Sequence, residues 1–146
     1  MTDIDVAIER IQKAYAAAVW ERDVQRFMAL YDERARVFDA WGVWQYESAK
    51  AWQVAVEGWF ASLGTERVRV TFEDTRTLGS TAFACASAIV TYAGVSAEGH
   101  DLRAMQNRIS WALRTTGHVL RIVHEHTSAP VGFEDMKAIL HREAGK

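Results

Sequence analysis

The sequence predicts an α+β fold in which helices pack on one face of a curved antiparallel sheet. Apolar residues recur at helical spacing as far as Gly64, and after Gly64 the period of the pattern changes to two. Helices followed by a run of strands are typical of α+β domains. A chain of 146 residues is long enough to bury a full core, and we expect residues 1–146 to form one domain.

Three helices are predicted before Gly64. The first covers residues 3–20. The second follows the N-cap residue Asp23 and has the apolar residues Val24, Phe27, Leu30 and Tyr31. The third runs from the N-cap residue Ser48 to Gly64. A short strand over residues 36–40 separates the second helix from the third. The buried stripe of the third helix is Trp52, Val56, Trp59, Phe60 and Leu63.

Four strands are predicted after Gly64, over residues 67–78, 81–92, 101–115 and 119–128. The alternating alanines of the second of these let a helix approach the sheet closely, and Cys85 beside them is interpreted as a small buried residue. A short terminal helix is predicted from Phe133, Met136, Ile139 and Leu140.

The predicted outer, convex face of the sheet is too apolar to remain in contact with water. We therefore expect a homodimer that forms through this face. The residues assigned to it are Ile109, Trp111, Leu113, Leu120 and Ile122.

Composition excludes several classes of protein. The 17 basic and 19 acidic residues nearly cancel, so there is no clustered positive charge to favour a nucleic-acid partner. No apolar run reaches the ~18 residues that span a bilayer, so no membrane partner is expected. The acidic N-terminus does not resemble a secretion signal, and one cysteine cannot form an internal disulfide, so we expect a cytoplasmic protein.

The segment from Arg121 to Pro130 alternates like a strand and contains three consecutive ionisable residues. His124 and His126 share one face, and Glu125 lies on the other. Two imidazoles are able to share a metal ion, but a metal site needs a third ligand, and none is evident on that face. We expect no metal and no cofactor, with both histidines at a subunit contact. The expected neighbours of the histidines are Asn107, Ile109 and Trp111.

Three stretches of the chain resemble the nuclear-transport-factor-2-like superfamily, and more narrowly its SnoaL-like and ketosteroid-isomerase-like branch. These are residues 14–23 (AYAAAVWERD), 37–42 (VFDAWG) and 124–130 (HEHTSAP). The last stretch is also similar to the association domain of calcium/calmodulin-dependent kinases, which forms oligomers without catalysis. The resemblance implies a cone-shaped roll with the sheet wrapped around the N-terminal helices, and a pocket for a small apolar or aromatic molecule.

The resemblance also implies roles for single residues. Tyr15 precedes Asp23 by the spacing at which ketosteroid isomerases keep a tyrosine that donates to the substrate oxygen, and Asp39 falls at their general base. Ser110 falls where these enzymes carry a protonated aspartate, which is a departure. Arg108 and Glu125 fall where epoxide-hydrolase-like members carry an arginine and an aspartate.

Each of these residues also has a purely structural interpretation. Asp39 is either a base in an apolar pocket or a cap for the turn at Gly42, and Tyr15 is either a donor or a core aromatic. Arg108 and Glu125, expected on one face, either orient a substrate or form a structural ion pair. The residues predicted to contact the ligand are Phe38, Trp41, Trp59, Val123 and Thr127.

Two functions therefore remain open at the level of the sequence. The first is a cofactor-free enzyme that uses acid–base chemistry on a small apolar substrate, as an isomerase, dehydratase or hydrolase. The second is a non-catalytic ligand-binding or oligomerisation module of the same fold. The missing acid at Ser110 favours the module, and the spacing of Tyr15 and Asp39 favours the enzyme.

Overall fold

The computed structural model describes residues 1–143 and contains three helices and five strands. One sheet has the strand order β1-β5-β4-β3-β2. The predicted α+β roll with a curved sheet and N-terminal helices is confirmed, and the sheet is open. The parallel pairing of β1 with β5 was not predicted; the other neighbouring strands are antiparallel. The elements are α1 (Asp3–Glu21), α2 (Val24–Met28), β1 (Tyr31–Phe38), α3 (Ala49–Ser62), β2 (Arg67–Gly79), β3 (Phe83–Val95), β4 (Asp101–Thr116) and β5 (Val119–Ser128).

Side-chain caps fix where the helices begin. Thr2 and Asp5 form a capping box at α1, in which each side chain accepts from the other residue's backbone amide. Asp23 accepts from the amide of Arg26 at 3.0 Å, which confirms the predicted N-cap of α2. Ser48 caps α3 as predicted. Each such cap contributes about 1 kcal/mol to stability.

The strand β1 begins earlier than the predicted strand over residues 36–40. Tyr31, which the helical pattern assigned to the second helix, is its first residue. The amide of Ile122 donates to the carbonyl of Leu30 at 2.9 Å, so pairing with β5 extends back to the end of α2. This non-local pairing overrides the local helical pattern.

The core lies between the helices and the inner face of the sheet. Ile8, Val19 and Phe27 from the helices are fully buried there with Val90 and Leu113 from the sheet. Full burial of one such side chain contributes roughly 1.5–3 kcal/mol. The alternating alanines of β3 lie on this inner face, where those at positions 84, 86 and 88 are buried.

A bulge in β5 determines which residues face the core. The hairpin pairs Leu113 with Ile122, but Ala112 pairs with His124, so Val123 is an extra residue on β5. A one-residue shift exchanges the faces of everything that follows it.

The predicted composition of the outer face is therefore wrong. Ile109, Trp111, Leu113 and Ile122 are at most 4% exposed and belong to the core, while Cys85 is exposed. The apolar surface that was the reason to expect a dimer is thus covered within one chain. The homodimer itself stays a prediction.

The predicted terminal helix is wrong. Residues 129–143 form turns and a bridge between Val131 and Ala138, and the carbonyl of Leu140 accepts from the amide of Gln106 at 2.7 Å. Asp135 accepts a hydrogen bond from the amide of Lys137, a local turn interaction that competes with a helix. Within residues 1–143, no helix is long and apolar enough to cross a membrane.

Candidate functional site

A cavity of about 590 Å³ opens between α3 and the inner face of the sheet. Its wall is largely aromatic: Trp52 and Trp59 come from α3, and Trp41 and Tyr46 come from the loop after β1. Apolar walls with a few polar groups are the usual composition of small-molecule sites. The polar groups that line the cavity come from α1, from the loop after β1, and from β3, β4 and β5.

Two tyrosine hydroxyls meet at the cavity wall. Tyr15 of α1 and Tyr92 of β3 lie 2.8 Å apart through their hydroxyl oxygens, and both residues line the cavity. Burial raises the pKa of Tyr15 well above its ordinary value, and burial raises that of Tyr92 too. Both phenols are therefore neutral at physiological pH. One hydrogen is used between them, which leaves one O–H to donate to another group.

Asp39 lies at the end of β1, where the chain enters the loop that carries Trp41. The hydroxyl of Thr127 donates to the Asp39 carboxylate at 3.0 Å and accepts from the amide of Ala40 at 2.8 Å. Burial raises the pKa of Asp39, although the Thr127 hydrogen bond and the amides of Trp41 and Ala40 act in the opposite direction. Asp39 is thus a fixed, half-buried carboxyl group with increased basicity.

Glu125 is 1% exposed and lines the same cavity, where it is the more buried of the two carboxyl groups. One of its oxygens, Oε1, accepts from the Tyr31 hydroxyl at 2.6 Å and from the Trp111 indole N–H at 2.9 Å. Burial and, to a smaller extent, the charge of Asp39 together raise the pKa of Glu125 to about 7, against the effect of the two donors. Near neutral pH this carboxyl group is therefore divided between its protonated and ionised forms.

Arg103 is the one cationic side chain that lines the cavity among the described residues. It forms a salt bridge with Glu66 at 2.7 Å, and this partner raises its pKa. Because Arg103 is largely exposed, its charge lies at the open side of the cavity and not beside the two carboxyl groups.

The structure brings most of the predicted residues together. Both Tyr15 and Asp39 line one cavity, as the enzyme interpretation requires, and Glu125 faces the same space. Of the predicted ligand contacts, Trp41 and Trp59 line this cavity. Thr127 is buried behind Asp39 and positions it. The roles of these residues remain predictions.

Arg108, Ser110 and Phe38 do not face the cavity, so their predicted placement is wrong. Arg108 and Ser110 are exposed on the outer face of β4, where the Arg108 guanidinium donates to Ser128. Ser110 pairs with His126 and not with Glu125. An uninterrupted hairpin would place Ser110 opposite Glu125, and the bulge at Val123 shifts the register by one residue. Val123 itself lies in the bulge and is absent from the cavity lining.

The two histidines lie on the outer face, as predicted. The rings of both pack edge-on against Phe38, with ring centroids 5.0 Å away for His124 and 5.4 Å for His126. His124 also contacts the carbonyl of Arg36 through Nδ1 at 2.8 Å. Asn107, Ile109 and Trp111, which were expected beside the histidines, lie on the opposite face of the sheet.

Sequence reasoning missed four residues that shape the site: Tyr31, Tyr92, Asn107 and Trp111. A buried indole needs a partner for its N–H, so Trp111 in an apolar strand was a signal for a nearby acceptor. Asn107 was a second signal, because it is the one amide on a strand face that continues with Ile109 and Trp111. Tyr31 and Tyr92 gave no comparable signal, since tyrosine in a strand is ordinary.

The sequence model of the SnoaL-like domain matches residues 8–132, which is most of the chain. The chain belongs to the SnoaL-like family. This SnoaL-like protein matches none of the curated proteins with which its sequence was compared.

Solved structures with the same fold are numerous and distant in sequence. An NTF2-like protein of unknown function from Pseudomonas putida has a TM-score of 0.83 and 20% identity, with 98% of each chain covered. ActVI-ORFA from Streptomyces coelicolor has a TM-score of 0.77 and 12% identity, covering 87% of this chain and 97% of its own. Aln2 from a Streptomyces species has a TM-score of 0.76 and 14% identity, covering 88% and 91%. At these identities the likeness shows that the SnoaL-like chain has this fold, and no more.

Proposed function

We propose that this SnoaL-like protein is a cofactor-free acid–base enzyme that acts on a small, flat, mostly apolar molecule with a carbonyl group. The observation that carries the proposal is one aromatic cavity lined by two carboxyl groups of raised pKa, Asp39 and Glu125, and by the hydroxyl pair of Tyr15 and Tyr92. Titratable groups perturbed in this way concentrate at functional sites.

Asp39 is the proposed general base. Its ionised carboxylate takes a proton from the carbon next to the substrate carbonyl. The electron pair of that C–H bond forms a C=C bond, and the π pair of the carbonyl moves onto its oxygen. The free O–H of the Tyr15–Tyr92 pair donates to this oxygen and stabilises the enolate. Return of the proton from Asp39 to another carbon completes an isomerisation. If the proton on Asp39 first exchanges with a deuteron of the solvent, return of that deuteron to the first carbon gives hydrogen exchange.

Glu125 is the proposed proton-holding group of the cavity. Its Oε1 accepts from Tyr31 and Trp111, which leaves Oε2 to carry the proton when the group is neutral. A neutral carboxyl group is a hydrogen-bond donor, and an ionised one would repel the charge that develops on a substrate enolate. This role replaces the predicted pairing of Glu125 with Arg108.

The test is deuterium exchange at the enolisable carbon of α-tetralone, followed by proton NMR in deuterium oxide, together with isomerisation of β,γ-unsaturated cyclic ketones followed by absorbance. We expect Asp39→Asn to lower both rates at least about a hundredfold, the usual contribution of a general base. Asp3→Asn, which changes an exposed aspartate of the first turn of α1, is the matched control and should leave both rates unchanged.

A non-catalytic ligand-binding module is the second candidate. It is favoured by the outward position of Arg108 and Ser110, which leaves the cavity without two of the predicted polar groups. Equal exchange and isomerisation rates for the wild type and Asp39→Asn, with α-tetralone still bound, would reject the enzyme and support the module.

A further inference from the structure

Asn107 is a buried amide whose acceptor oxygen has no protein partner. The residue is 4% exposed, lies on the inner face of β4 and lines the cavity. No donor among the described residues reaches its Oδ1. Val90, directly across the strand pair, is apolar and fully buried, so it offers no hydrogen bond.

The fold itself gives no reason for an amide at this position. The inner face of β4 continues with Ile109, Trp111 and Leu113, all of them buried. An apolar residue of similar size would extend that face without leaving a buried polar atom unpaired, and an unpaired buried polar atom is destabilising. Buried groups left unpaired in this way call for an explanation, and functional sites are a frequent one.

The other groups around this part of the cavity identify what is missing. Met105 and Tyr92, paired across β4 and β3, line the cavity next to Asn107. The tyrosine pair has an O–H to donate, so it suits an acceptor on the ligand. The Asn107 oxygen is an acceptor that requires a donor, and it is itself enclosed, so the amide turns about its Cβ–Cγ bond to present this oxygen to a ligand in the cavity.

We propose that Asn107 is a specificity-determining residue that selects ligands with a ring hydroxyl, whose O–H donates to Asn107 Oδ1. This inference rests on the proposed function, because it names the substrate class of the same cavity. The ligand class is then a flat cyclic ketone that carries a hydroxyl group away from the carbonyl. The carbonyl oxygen accepts from the tyrosine pair, and the hydroxyl hydrogen is bound by the amide.

The test is equilibrium binding, measured by isothermal titration calorimetry and by quenching of tryptophan fluorescence. The probes are α-tetralone and the series of its hydroxy and methoxy derivatives substituted at each aromatic position. We expect at least one hydroxy derivative to bind the wild type about tenfold more tightly than α-tetralone, as one recovered hydrogen bond provides. The matching methoxy derivative, which has no O–H, should show no gain.

Asn107→Leu should bind the hydroxy derivative and α-tetralone equally, whereas Ser110→Ala, on the outer face of the same strand, should keep the tenfold preference. Equal binding of all three classes of probe by the wild type overturns the inference, whether or not Asn107→Leu folds. A methoxy derivative that binds as tightly as its hydroxy counterpart overturns it as well. Because binding needs no catalysis, a preserved preference in Asp39→Asn supports the inference even if the exchange experiment rejects the enzyme.

Discussion

Replacement of Glu125 by glutamine should remove a large pH dependence from the stability of the protein. In the folded state the pKa of Glu125 is about 7, whereas the ordinary pKa of a glutamate is 4.5. Between these pH values the folded state binds more protons than the unfolded chain, so the free energy of unfolding falls as pH rises. The fall is about 1.4 kcal/mol per pH unit, or about 3 kcal/mol across the window.

Glutamine is the informative substitution because it keeps the contacts and removes the charge. Its Oε1 accepts from Tyr31 and Trp111 as the carboxyl oxygen does. In the wild type, the stabilisation that comes from the raised pKa of Glu125 is fully present below the pKa of this group in the unfolded chain. It is lost as the pH rises through the pKa of Glu125 in the folded state. We therefore expect Glu125→Gln to gain about 2.5 kcal/mol over the wild type between about pH 5 and about pH 8.

Urea unfolding, followed by tryptophan fluorescence and circular dichroism at both pH values, measures this change. In thermal melts the same change corresponds to roughly 10 °C for a chain of this length. Glu98→Gln, an exposed glutamate in the loop between β3 and β4, is the control and should follow the wild type. If the difference between Glu125→Gln and the wild type is the same at both pH values, Glu125 does not hold a raised pKa.

Two further variants test the other carboxyl groups. Thr127→Val removes the hydrogen bond that lowers the pKa of Asp39, so a carboxyl-carbon NMR titration should show that pKa rising further, and an unchanged value would contradict the assigned contact. Asp32→Asn should cost on the order of 1–3 kcal/mol near neutral pH, because buried Asp32 accepts from the amide of Arg34 and the hydroxyl of Thr116. These contacts lower the pKa of Asp32, so the loss of stability in Asp32→Asn, measured by urea unfolding, should shrink as the pH falls through the pKa of Asp32 in the folded state. A loss that stays constant with pH would show that the ionised form of Asp32 is not what stabilises the wild type.

Features that depend on neighbours in sequence were predictable. The caps at Asp23 and Ser48 need only a side chain and an amide three residues on, and both form. The buried alanines of β3 follow from strict alternation within one strand. The prediction of a terminal helix was wrong for a local reason too. The Asp135 carboxylate accepts a hydrogen bond from the amide of Lys137, and this contact favours a turn where apolar spacing alone indicated a helix.

Features that depend on pairing between distant segments were not predictable. The parallel pairing of β1 with β5 places Tyr31 beside Glu125, although the two residues are far apart in sequence. Neither residue carries a local signal for the other. The contact of Tyr15 with Tyr92, which joins α1 to β3, is non-local in the same way.

The single extra residue in β5 determines the chemistry of the cavity. If the hairpin kept the register that pairs Leu113 with Ile122, Trp111 would face His124, and the histidine would lie in the interior in place of the carboxyl group. With the bulge at Val123, the Trp111 indole instead donates to Glu125, and both histidines pack outside against Phe38. The interior therefore carries a carboxyl group held near neutrality, which suits proton transfer, and the paired imidazoles that first suggest a metal lie on the other side of the sheet.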